Sequence, residues 1–434
     1  MTEYHLVILV HGLWGVPAHM EYLESQVLQL KQKCPETIAT YKTNSHSKFV
    51  TYDGIDVNGK RVRDEIVQQK EELERGGNKV TKLSVIGYSL GGLISRYAIG
   101  ILYKEGFFNE VIPVNYITFC TPHVGVPSPK KSKAIKLYDW LAPQFLATTG
   151  GQMFMRDSEV GSLDNGSKGK PLLVWMADPK SSFYKALASF HHLALYANAI
   201  NDRRTAWYTA SISRYDPFHS LHNHDPYKIQ ASYIKGYEPT VIDRTKPITY
   251  GDTSVKPEQK SDVKDKGGLA TYLLRKWRWF KVFGSVVLLT PFWGLSFLIN
   301  TIVQRYYHQR RVKTFFRDNT LTDMYHPNPS FAESLKDVVF DKQEQIVNSA
   351  YSAVETTTEN ERDEHLRQPE TLSLTKDQEF IVENLNSLGW EKYPVIIRNT
   401  NSTHAAAIHR HQDPNFGEGK LVVKHFIDNV FCMD

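Results

Sequence analysis

A serine lies between two glycines in the segment 87–91, Gly-Tyr-Ser-Leu-Gly. The segment joins a predicted buried strand at residues 82–87 to a mostly apolar stretch with helical spacing at residues 90–103. A serine on such a tight strand-to-helix turn is held above the sheet edge, where its Oγ can attack an acyl carbonyl carbon. The glycines are needed because bulky side chains there would clash with the strand and the helix. The pattern therefore predicts nucleophilic acyl transfer with Ser89 as the attacking residue.

The loop at residues 11–15, His-Gly-Leu-Trp-Gly, follows the first predicted strand, and its glycines let the backbone approach the serine closely. In this position the N–H groups of Leu13 and Leu90 would bind the oxyanion, the second of them at a helix N-terminus whose dipole favours negative charge. His11 stands at a strand end, so we assign it a role in fixing the loop in preference to that of general base. Trp14 would line an acyl pocket or shield the site.

The acid of the site is expected to follow the serine in the chain, and the histidine is expected to follow the acid. Asp202 comes directly after a predicted strand at residues 193–200, and a carboxylate at a strand end can hold an imidazole in the tautomer that catalysis needs. The alternative for Asp202 is a turn residue or an ion pair with Arg203 or Arg204. Asp216 is the second candidate acid.

His404 is the predicted general base, because it follows the last predicted strand, residues 393–398, after a short polar loop. An imidazole there would take the proton of Ser89 during the attack. His123 ends the third predicted strand and precedes the expected acid, so we interpret it as a rim or structural residue. Three further C-terminal histidines are alternatives with a weaker placement: His409, His411 and His425.

The elements that must position these residues alternate between strand and helix. Strands are predicted at residues 6–10, 37–40, 82–87 and 114–120, and helices at residues 18–33, 59–76 and 90–103. The same pattern returns near the C-terminus, with a helix at residues 376–388, a strand at residues 393–398 and a closing helix at residues 418–431. The alternation implies a mostly parallel sheet flanked by helices, and together with the serine turn it predicts an α/β-hydrolase fold.

The predicted core is interrupted by two insertions. Residues 1–236 form most of the α/β-hydrolase core and contain a lid-like insertion at about 127–192. Within that insertion Trp140 and Phe145 belong to an apolar face, and Leu172–Met176 is a candidate strand. Residues 237–375 are a second insertion, and residues 376–434 complete the core.

Residues 282–303 contain no charged side chain, and these 22 residues are about as long as one membrane-spanning helix. Basic and aromatic residues flank the segment on both sides. Pro291 lies near its middle, with Gly294 close by, so a helix would break or kink there. We therefore expect a hydrophobic hairpin that enters and leaves a membrane or a lipid monolayer from one side. The alternative is a buried hairpin in the core of a soluble protein.

The composition excludes several classes of protein. Among the 434 residues, 41% are hydrophobic and 23% are charged, which is ordinary for globular proteins, and the net charge of +5 gives no argument for nucleic acid. Three cysteines are too few for a disulfide framework and fit a reducing compartment. The N-terminus lacks the features of a signal peptide, so we expect no Sec-type export and no glycosylation at Asn165 or Asn401.

These motifs together resemble the fungal serine esterase/lipase family of α/β-hydrolases, which includes a lipid-droplet phospholipase of yeast. The resemblance rests on residues 11–15 and 87–93 and on three shorter segments: Thr121-Pro122-His123, Asn201-Asp202-Arg203 and Thr403-His404-Ala405-Ala406. It implies an α/β-hydrolase fold and hydrolysis of phospholipid acyl esters at a droplet surface. It also implies that Ser89, Asp202 and His404 form a catalytic triad.

We therefore expect a serine hydrolase that cleaves acyl esters of lipids through an acyl-enzyme, most specifically a phospholipase acting on glycerophospholipids. The expected location is the lipid droplet or the endoplasmic reticulum membrane, with the catalytic domain facing the cytosol. No metal, organic cofactor or nucleic-acid partner is expected. The alternatives are a neutral-lipid lipase or a thioesterase with the same triad, and a membrane-anchored scaffold without catalysis.

Overall fold

Runs of β-branched and aliphatic residues build the central sheet. In the computed structural model the strands are β1 (Glu3–Val10), β2 (Thr37–Lys42), β3 (Lys79–Tyr88), β4 (Ile112–Phe119), β5 (His192–Asn198), β6 (Tyr215–Asp216), β7 (Ile229–Gln230), β8 (Thr249–Tyr250), β9 (Glu370–Thr371) and β10 (Glu391–Val395). Six of them form one parallel sheet in the order β10-β5-β4-β3-β1-β2. The structure describes residues 2–30, 37–129, 139–140, 142–157, 169–218, 229–246, 249–250, 303, 306–315 and 370–434.

Helices cover both faces of this sheet. The first three are α1 (Glu21–Gln29), α2 (Ile55–Glu74) and α3 (Leu90–Lys104). The later ones span Ala147–Met153, Leu172–Met176, Ser182–Ser189, Trp207–Ala210, residues 306–315, Lys376–Asn386, Thr403–Ala406 and Gly417–His425, the last continuing as a π-helix at Phe426–Val430. Short 3-10 helices lie at Pro17–Met20, Lys48–Asp53, Phe107–Asn109 and Pro414–Phe416.

The helices are arranged in two layers because the strands are apolar at successive positions. In β1, Leu6 and Ile8 pack in one core with α2 and α3, whereas Val7 and Leu9 point to the opposite face. That second core contains side chains of α1 and of the helix Gly417–His425. A strand that is apolar on both faces must be covered on both faces, so the predicted parallel sheet flanked by helices is confirmed.

The predicted strand at Leu172–Met176 is wrong, because these residues form a buried helix. The carbonyl group of Leu173 accepts a hydrogen bond of 3.5 Å from Arg96 of α3. The sheet has no position for a further strand beside β5, since β5 pairs with β4 on one side and with β10 on the other. Tertiary packing therefore decides the conformation of this apolar run.

Two C-terminal elements differ from their predicted bounds. The strand predicted at residues 393–398 begins and ends earlier, at Glu391–Val395. It ends there because the N–H of Ile396 donates to the carbonyl group of Thr240 at 2.9 Å, outside the parallel ladder. The closing helix predicted at residues 418–431 is an α-helix up to His425 and a π-helix beyond it.

Within the described ranges, no helix is long and apolar enough to cross a membrane. The predicted hydrophobic hairpin at residues 282–303 lies outside these ranges except for Val303. The predicted lid-like insertion, residues 127–192, is described in part, and its role as a lid stays a prediction. The predicted boundaries of the core and its insertions also stay predictions.

Candidate active site

Ser89 lies on the turn between β3 and α3, with φ of 55° and ψ of −129°. Residues other than glycine rarely adopt this left-handed backbone, and such strain is concentrated at functional sites. The Ser89 amide donates a hydrogen bond of 2.8 Å to the carbonyl group of Phe119 at the end of β4. The turn is thereby tied to the neighbouring strand, and Ser89 stands at the carboxyl edge of the sheet and at the N-terminus of α3.

Two glycines give this turn the space that it needs. A Cβ atom at Gly91 would lie 2.1 Å from the carbonyl oxygen of Val10, and one at Gly87 would lie 2.5 Å from the Cα atom of Gly92. Both neighbours are backbone atoms of packed elements, so they cannot move aside cheaply. The steric reason for a glycine on each side of the serine is therefore present in the structure.

The loop at residues 11–15 packs directly against the serine. A Cβ atom at Gly12 would lie 2.6 Å from the Cβ and 3.2 Å from the Oγ of Ser89. Leu13 is the next residue along this loop, and Leu90 is the first residue of α3 after Ser89. Leu13 and Leu90 thus each follow one of the two residues in contact, Gly12 and Ser89. This placement is expected of a pair of oxyanion donors.

Trp14 holds the far end of this loop, with φ of 53° and a buried ring. Its amide donates to Thr51 Oγ1 at 3.2 Å, and its indole Nε1 donates to the Tyr52 hydroxyl at 2.9 Å. The Trp14 and Tyr52 rings also pack together, with Phe49 and Leu146 against them. The loop conformation near Ser89 therefore depends on the 3-10 helix Lys48–Asp53.

Asp202 follows β5 at the same edge of the sheet, and its side chain is 2% exposed. Oδ1 accepts the backbone N–H groups of Arg204 at 3.0 Å and Thr205 at 2.9 Å, and Oδ2 accepts Nδ2–H of Asn198 at 2.9 Å. Burial by itself raises the pKa of this carboxyl group, but the His404 imidazole and the hydrogen bonds outweigh it and lower the pKa of Asp202. The carboxylate is therefore ionised at neutral pH.

His404 lies in the short helix Thr403–Ala406 with its ring beside Asp202, although the two residues are 202 positions apart. Its Nδ1 is 2.9 Å from Asp202 Oδ2, and its carbonyl group accepts a hydrogen bond of 3.1 Å from the Tyr88 hydroxyl. Its Nε2 is buried and makes no hydrogen bond within the described part of the chain. Burial lowers the pKa of His404 more than Asp202 raises it, so the imidazole is neutral at neutral pH.

The second candidate acid and the N-terminal histidine both have local partners. Asp216 Oδ1 accepts the N–H of Phe218 at 2.9 Å, as in a turn. His11 stacks on His46 with 4.0 Å between ring centroids, and its Nδ1 lies 3.2 Å from the Gly12 carbonyl oxygen. Burial lowers the pKa of His11 to about 4. These contacts suit the loop-fixing role that we predict for His11.

The remaining histidine alternatives are bonded to other groups. His123 Nε2 lies 2.9 Å from Thr118 Oγ1, His409 Nδ1 3.0 Å from the Phe416 carbonyl oxygen, His411 Nε2 3.0 Å from Arg410 Nε, and His425 Nδ1 2.7 Å from the Tyr196 hydroxyl. Of the histidines that the sequence offered as a base, the structure brings His404 into contact with the candidate acid.

Asn198 and Cys120 also lie beside Asp202, and neither residue was predicted from the sequence as part of the site. Asn198 ends β5 and Cys120 follows β4, so a polar residue at the end of an apolar strand was the available signal. Asn198 Nδ2 lies 3.5 Å from Cys120 Sγ as well as 2.9 Å from Asp202 Oδ2. Asn198 therefore helps to orient the same carboxylate oxygen that bonds His404.

Cys120, Asp202 and His404 also form a group with the spacing of metal ligands, since their donor atoms all lie within 4.8 Å of one another. His404 Nδ1 and Asp202 Oδ2 are already hydrogen-bonded to each other. Burial raises the pKa of the Cys120 thiol well above its ordinary value, so the thiolate that a metal prefers is disfavoured. The arrangement suits a hydrogen-bond network better than metal coordination.

Comparison with known protein families agrees with these motifs. Residues 1–213 match the model of the family described as "Putative serine esterase (DUF676)". The match covers 213 of the 434 residues and contains Ser89, Asp202 and the loop at residues 11–15. The predicted resemblance to a serine esterase/lipase family is thereby confirmed.

The curated relatives are yeast proteins of greater length. "Putative lipase ROG1" of Saccharomyces cerevisiae is 30% identical over 211 residues, which cover 48% of this chain and 28% of the relative. "Putative lipase C4A8.10" of Schizosaccharomyces pombe is 29% identical over 202 residues, which cover 46% of this chain and 25% of the relative. The chain thus spans about a quarter to a third of the curated relatives that it matches.

Among solved structures, "Phospholipase PlaB from Legionella pneumophila" in complex with thio-NAD aligns with a TM-score of 0.27 and 16% identity. The alignment covers 49% of this chain and 42% of that protein.

Proposed function

We propose that the protein is a serine hydrolase of the α/β-hydrolase fold that cleaves acyl esters of lipids, with Ser89 as nucleophile, His404 as base and Asp202 as acid. The observation that carries the proposal is the bond of 2.9 Å between Asp202 Oδ2 and His404 Nδ1 at the sheet edge that bears Ser89. A buried, ionised carboxylate keeps the proton on Nδ1 and leaves Nε2 as the basic nitrogen. This is the tautomer that a general base needs.

In the proposed reaction, His404 Nε2 takes the hydroxyl proton of Ser89 while Oγ attacks the ester carbonyl carbon. Asp202 stabilises the imidazolium that forms, and the amides of Leu13 and Leu90 bind the oxyanion. His404 then gives the proton to the leaving alcohol, and water hydrolyses the acyl-enzyme by the same route. The free Nε2 of His404 fits this scheme, because catalytic hydrogen bonds often tighten only when substrate binds.

The proposed substrate is a glycerophospholipid at the surface of a lipid droplet or of the endoplasmic reticulum membrane, with the catalytic domain on the cytosolic side. The family is described as serine esterases, and the curated relatives are named as lipases. The uncharged segment at residues 282–303 is followed closely by the helix of residues 306–315. On that helix Tyr306 and Tyr307 are exposed, and the Arg310 guanidinium lies over the Tyr306 ring. Such aromatic and basic side chains are typical of lipid–water interfaces.

The test of the substrate is fatty-acid release from phospholipids, acylglycerols and an acyl thioester presented on emulsified droplets. Wild type is compared with Ser89→Ala and with Ser25→Ala, a matched serine variant on α1. Wild type and Ser25→Ala are expected to release fatty acid from phospholipids, and Ser89→Ala is expected to release none. Release from acylglycerols alone or from the thioester alone would instead identify a neutral-lipid lipase or a thioesterase.

A catalytically silent wild type would point to the scaffold alternative. Labelling with a fluorophosphonate decides this point, because the reagent reacts with an activated serine whatever the natural acyl group is. No release from any lipid together with no labelling of Ser89 would contradict the proposed function.

Binding to a lipid surface is tested by flotation with artificial droplets. Leu289→Asp introduces a charge into the uncharged segment, which costs about 3 kcal/mol in the centre of a membrane segment. We expect this variant to stay in the aqueous fraction, and the matched variant Leu289→Ile to float with the droplets. Equal flotation of both variants would argue against insertion of residues 282–303.

A further inference from the structure

Asp53 is a completely buried carboxylate surrounded by three basic side chains. Arg61 of α2 donates to its Oδ2 at 2.9 Å. From the helix of residues 306–315, His308 Nδ1 lies 2.9 Å from Oδ1, and Arg311 bonds to both oxygens at 2.8 to 3.2 Å. Burial alone raises the pKa of this carboxyl group, but these partners outweigh it and lower the pKa of Asp53. We refer to Asp53, Arg61, His308 and Arg311 as the Asp53 cluster.

The Asp53 cluster continues directly into the loop beside Ser89. Asp53 is the last residue of the 3-10 helix Lys48–Asp53, and the two residues before it bind Trp14. Thr51 Oγ1 accepts the Trp14 amide, and the Tyr52 hydroxyl accepts the Trp14 indole N–H. Trp14 in turn follows Leu13, the proposed oxyanion donor. A continuous chain of hydrogen bonds and covalent neighbours therefore runs from residues 306–315 to the oxyanion loop.

The helix Ala147–Met153 braces the same region from a second side. Thr149 Oγ1 donates to the Thr51 carbonyl group at 2.6 Å and accepts the Gly54 N–H at 3.0 Å. Thr148 Oγ1 lies 3.0 Å from His308 Nε2, so His308 bridges this helix and Asp53. Both ring nitrogens of His308 are thus occupied, which fixes the ring and the residues that it contacts.

We propose that Asp53 is a positioning residue, which couples the docking of the helix of residues 306–315 to the placement of the Leu13 amide in the oxyanion hole. This inference rests on the proposed function. Removal of one basic partner leaves a buried carboxylate short of a counter-charge, so the 3-10 helix that holds Trp14 shifts or loosens. A displacement of about 1 Å at an oxyanion donor costs up to about 100-fold in rate.

Because the helix of residues 306–315 is coupled to the oxyanion loop, contacts on its outer face would affect catalysis. His308, Arg311 and Phe315 face inward, the last with Lys60 and Arg61 beside its ring, whereas Tyr306, Tyr307 and Arg310 are exposed. The helix therefore has one face on the catalytic core and one face toward solvent, only a few residues from the uncharged segment. Contact of the outer face with a lipid surface would hold the inner face in place and so favour the ordered oxyanion loop.

The experiment compares two basic residues of this helix. Arg311→Met removes a partner of Asp53, and Lys313→Met removes an exposed cation as a matched control. With the soluble ester p-nitrophenyl butyrate, we expect kcat of Arg311→Met to fall about 10- to 100-fold while KM stays within about twofold. Lys313→Met is expected to retain the kcat of wild type. Equal kcat in both folded variants, or a loss confined to KM, would overturn the proposal.

A second pair of measurements separates positioning from general damage. Tyr52→Phe removes the hydroxyl that binds the Trp14 indole. If this variant and Arg311→Met act through one chain of contacts, their losses of kcat should not add in the double variant. Hydrogen exchange of the amides at residues 12–16 should be faster in Arg311→Met and unchanged in Lys313→Met. Exchange is measured without substrate, so it decides the coupling even if wild type hydrolyses no ester and the proposed function fails. Additive losses of kcat in the double variant, together with unchanged hydrogen exchange in Arg311→Met, would contradict the positioning role of Asp53.

Discussion

Replacement of Asp202 by asparagine tests the charge of the proposed acid while nearly preserving its shape. The two backbone amides of Arg204 and Thr205 point at Oδ1, so the amide oxygen of the new residue will take that place. Its NH2 group then occupies the place of Oδ2 and donates to His404 Nδ1. The proton of the imidazole moves to Nε2, and His404 can no longer take the proton of Ser89.

The expected loss follows from this change of tautomer. Reversal of the imidazole tautomer in a serine triad lowers kcat about 10⁴-fold, which is about 5.5 kcal/mol of transition-state stabilisation. The fold should tolerate the change, because Asn198 Oδ1 is buried without a hydrogen bond and can turn to accept from the new NH2 group. We therefore expect a loss of only about 1–2 kcal/mol in the free energy of unfolding.

The assay is the hydrolysis of p-nitrophenyl butyrate, with thermal unfolding measured on the same samples. Asp216→Asn is the matched control, because Asp216 is the second candidate acid and is also buried. It is expected to keep kcat within about threefold of wild type. The reasoning is refuted if folded Asp202→Asn retains more than about a tenth of the wild-type kcat, or if Asp216→Asn shows the large loss instead.

Three further predictions concern protons and backbone space. Burial lowers the pKa of His404 below 6.5. The value of kcat/KM should therefore stay constant down to about pH 6.5 and fall at lower pH. A midpoint of this fall above pH 7 would contradict the reasoning. The pKa of His5 and of His11 is about 4 in the folded chain against 6.5 unfolded. Between pH 4 and pH 6.5, unfolding therefore takes up a proton at each of these imidazoles. The free energy of unfolding should be constant above pH 6.5. On acidification toward pH 4 it should fall by about 1.4 kcal/mol per pH unit for each imidazole. Urea unfolding at pH 7.5 and 5.5 measures this, and equal values at both would disprove it. Gly91→Ala should abolish esterase activity and lower the free energy of unfolding by about 3 kcal/mol, because its Cβ would lie 2.1 Å from a backbone oxygen. The control Gly151→Ala has no atom within 4 Å of its Cβ, so thermal unfolding should show a free energy of unfolding about 0.5–1 kcal/mol higher.

The local parts of the site could be predicted because their signals are local. The turn at Ser89 follows from glycines next to a strand and a helix, and in the structure it lies between β3 and α3 as predicted. The parallel sheet followed from strands that are apolar at successive positions. The run at Leu172–Met176 was misjudged because a short apolar segment suits a strand and a buried helix equally.

The long-range parts of the site were open in the sequence. Four C-terminal histidines and two aspartates were candidates, and chain order alone favoured His404 and Asp202. Their contact at 2.9 Å depends on how β5 and the segment after β10 meet at one edge of the sheet. Catalytic roles for these residues stay predictions until the variants above are measured.

The sequence by itself predicted the class of chemistry, and it determined the strand-to-helix turn at Ser89 and the parallel sheet, because each depends on residues within a few positions of one another. Only the tertiary structure decided which carboxylate holds which imidazole, that Asn198 and Cys120 lie beside Asp202, and that Asp53 binds residues of the helix of residues 306–315. Apart from the bond between Asn198 and Asp202, which lie four positions apart, these contacts join residues 78 to 258 positions apart. No periodicity or short motif encodes such pairs, since they arise when packed elements bring the ends of distant segments together.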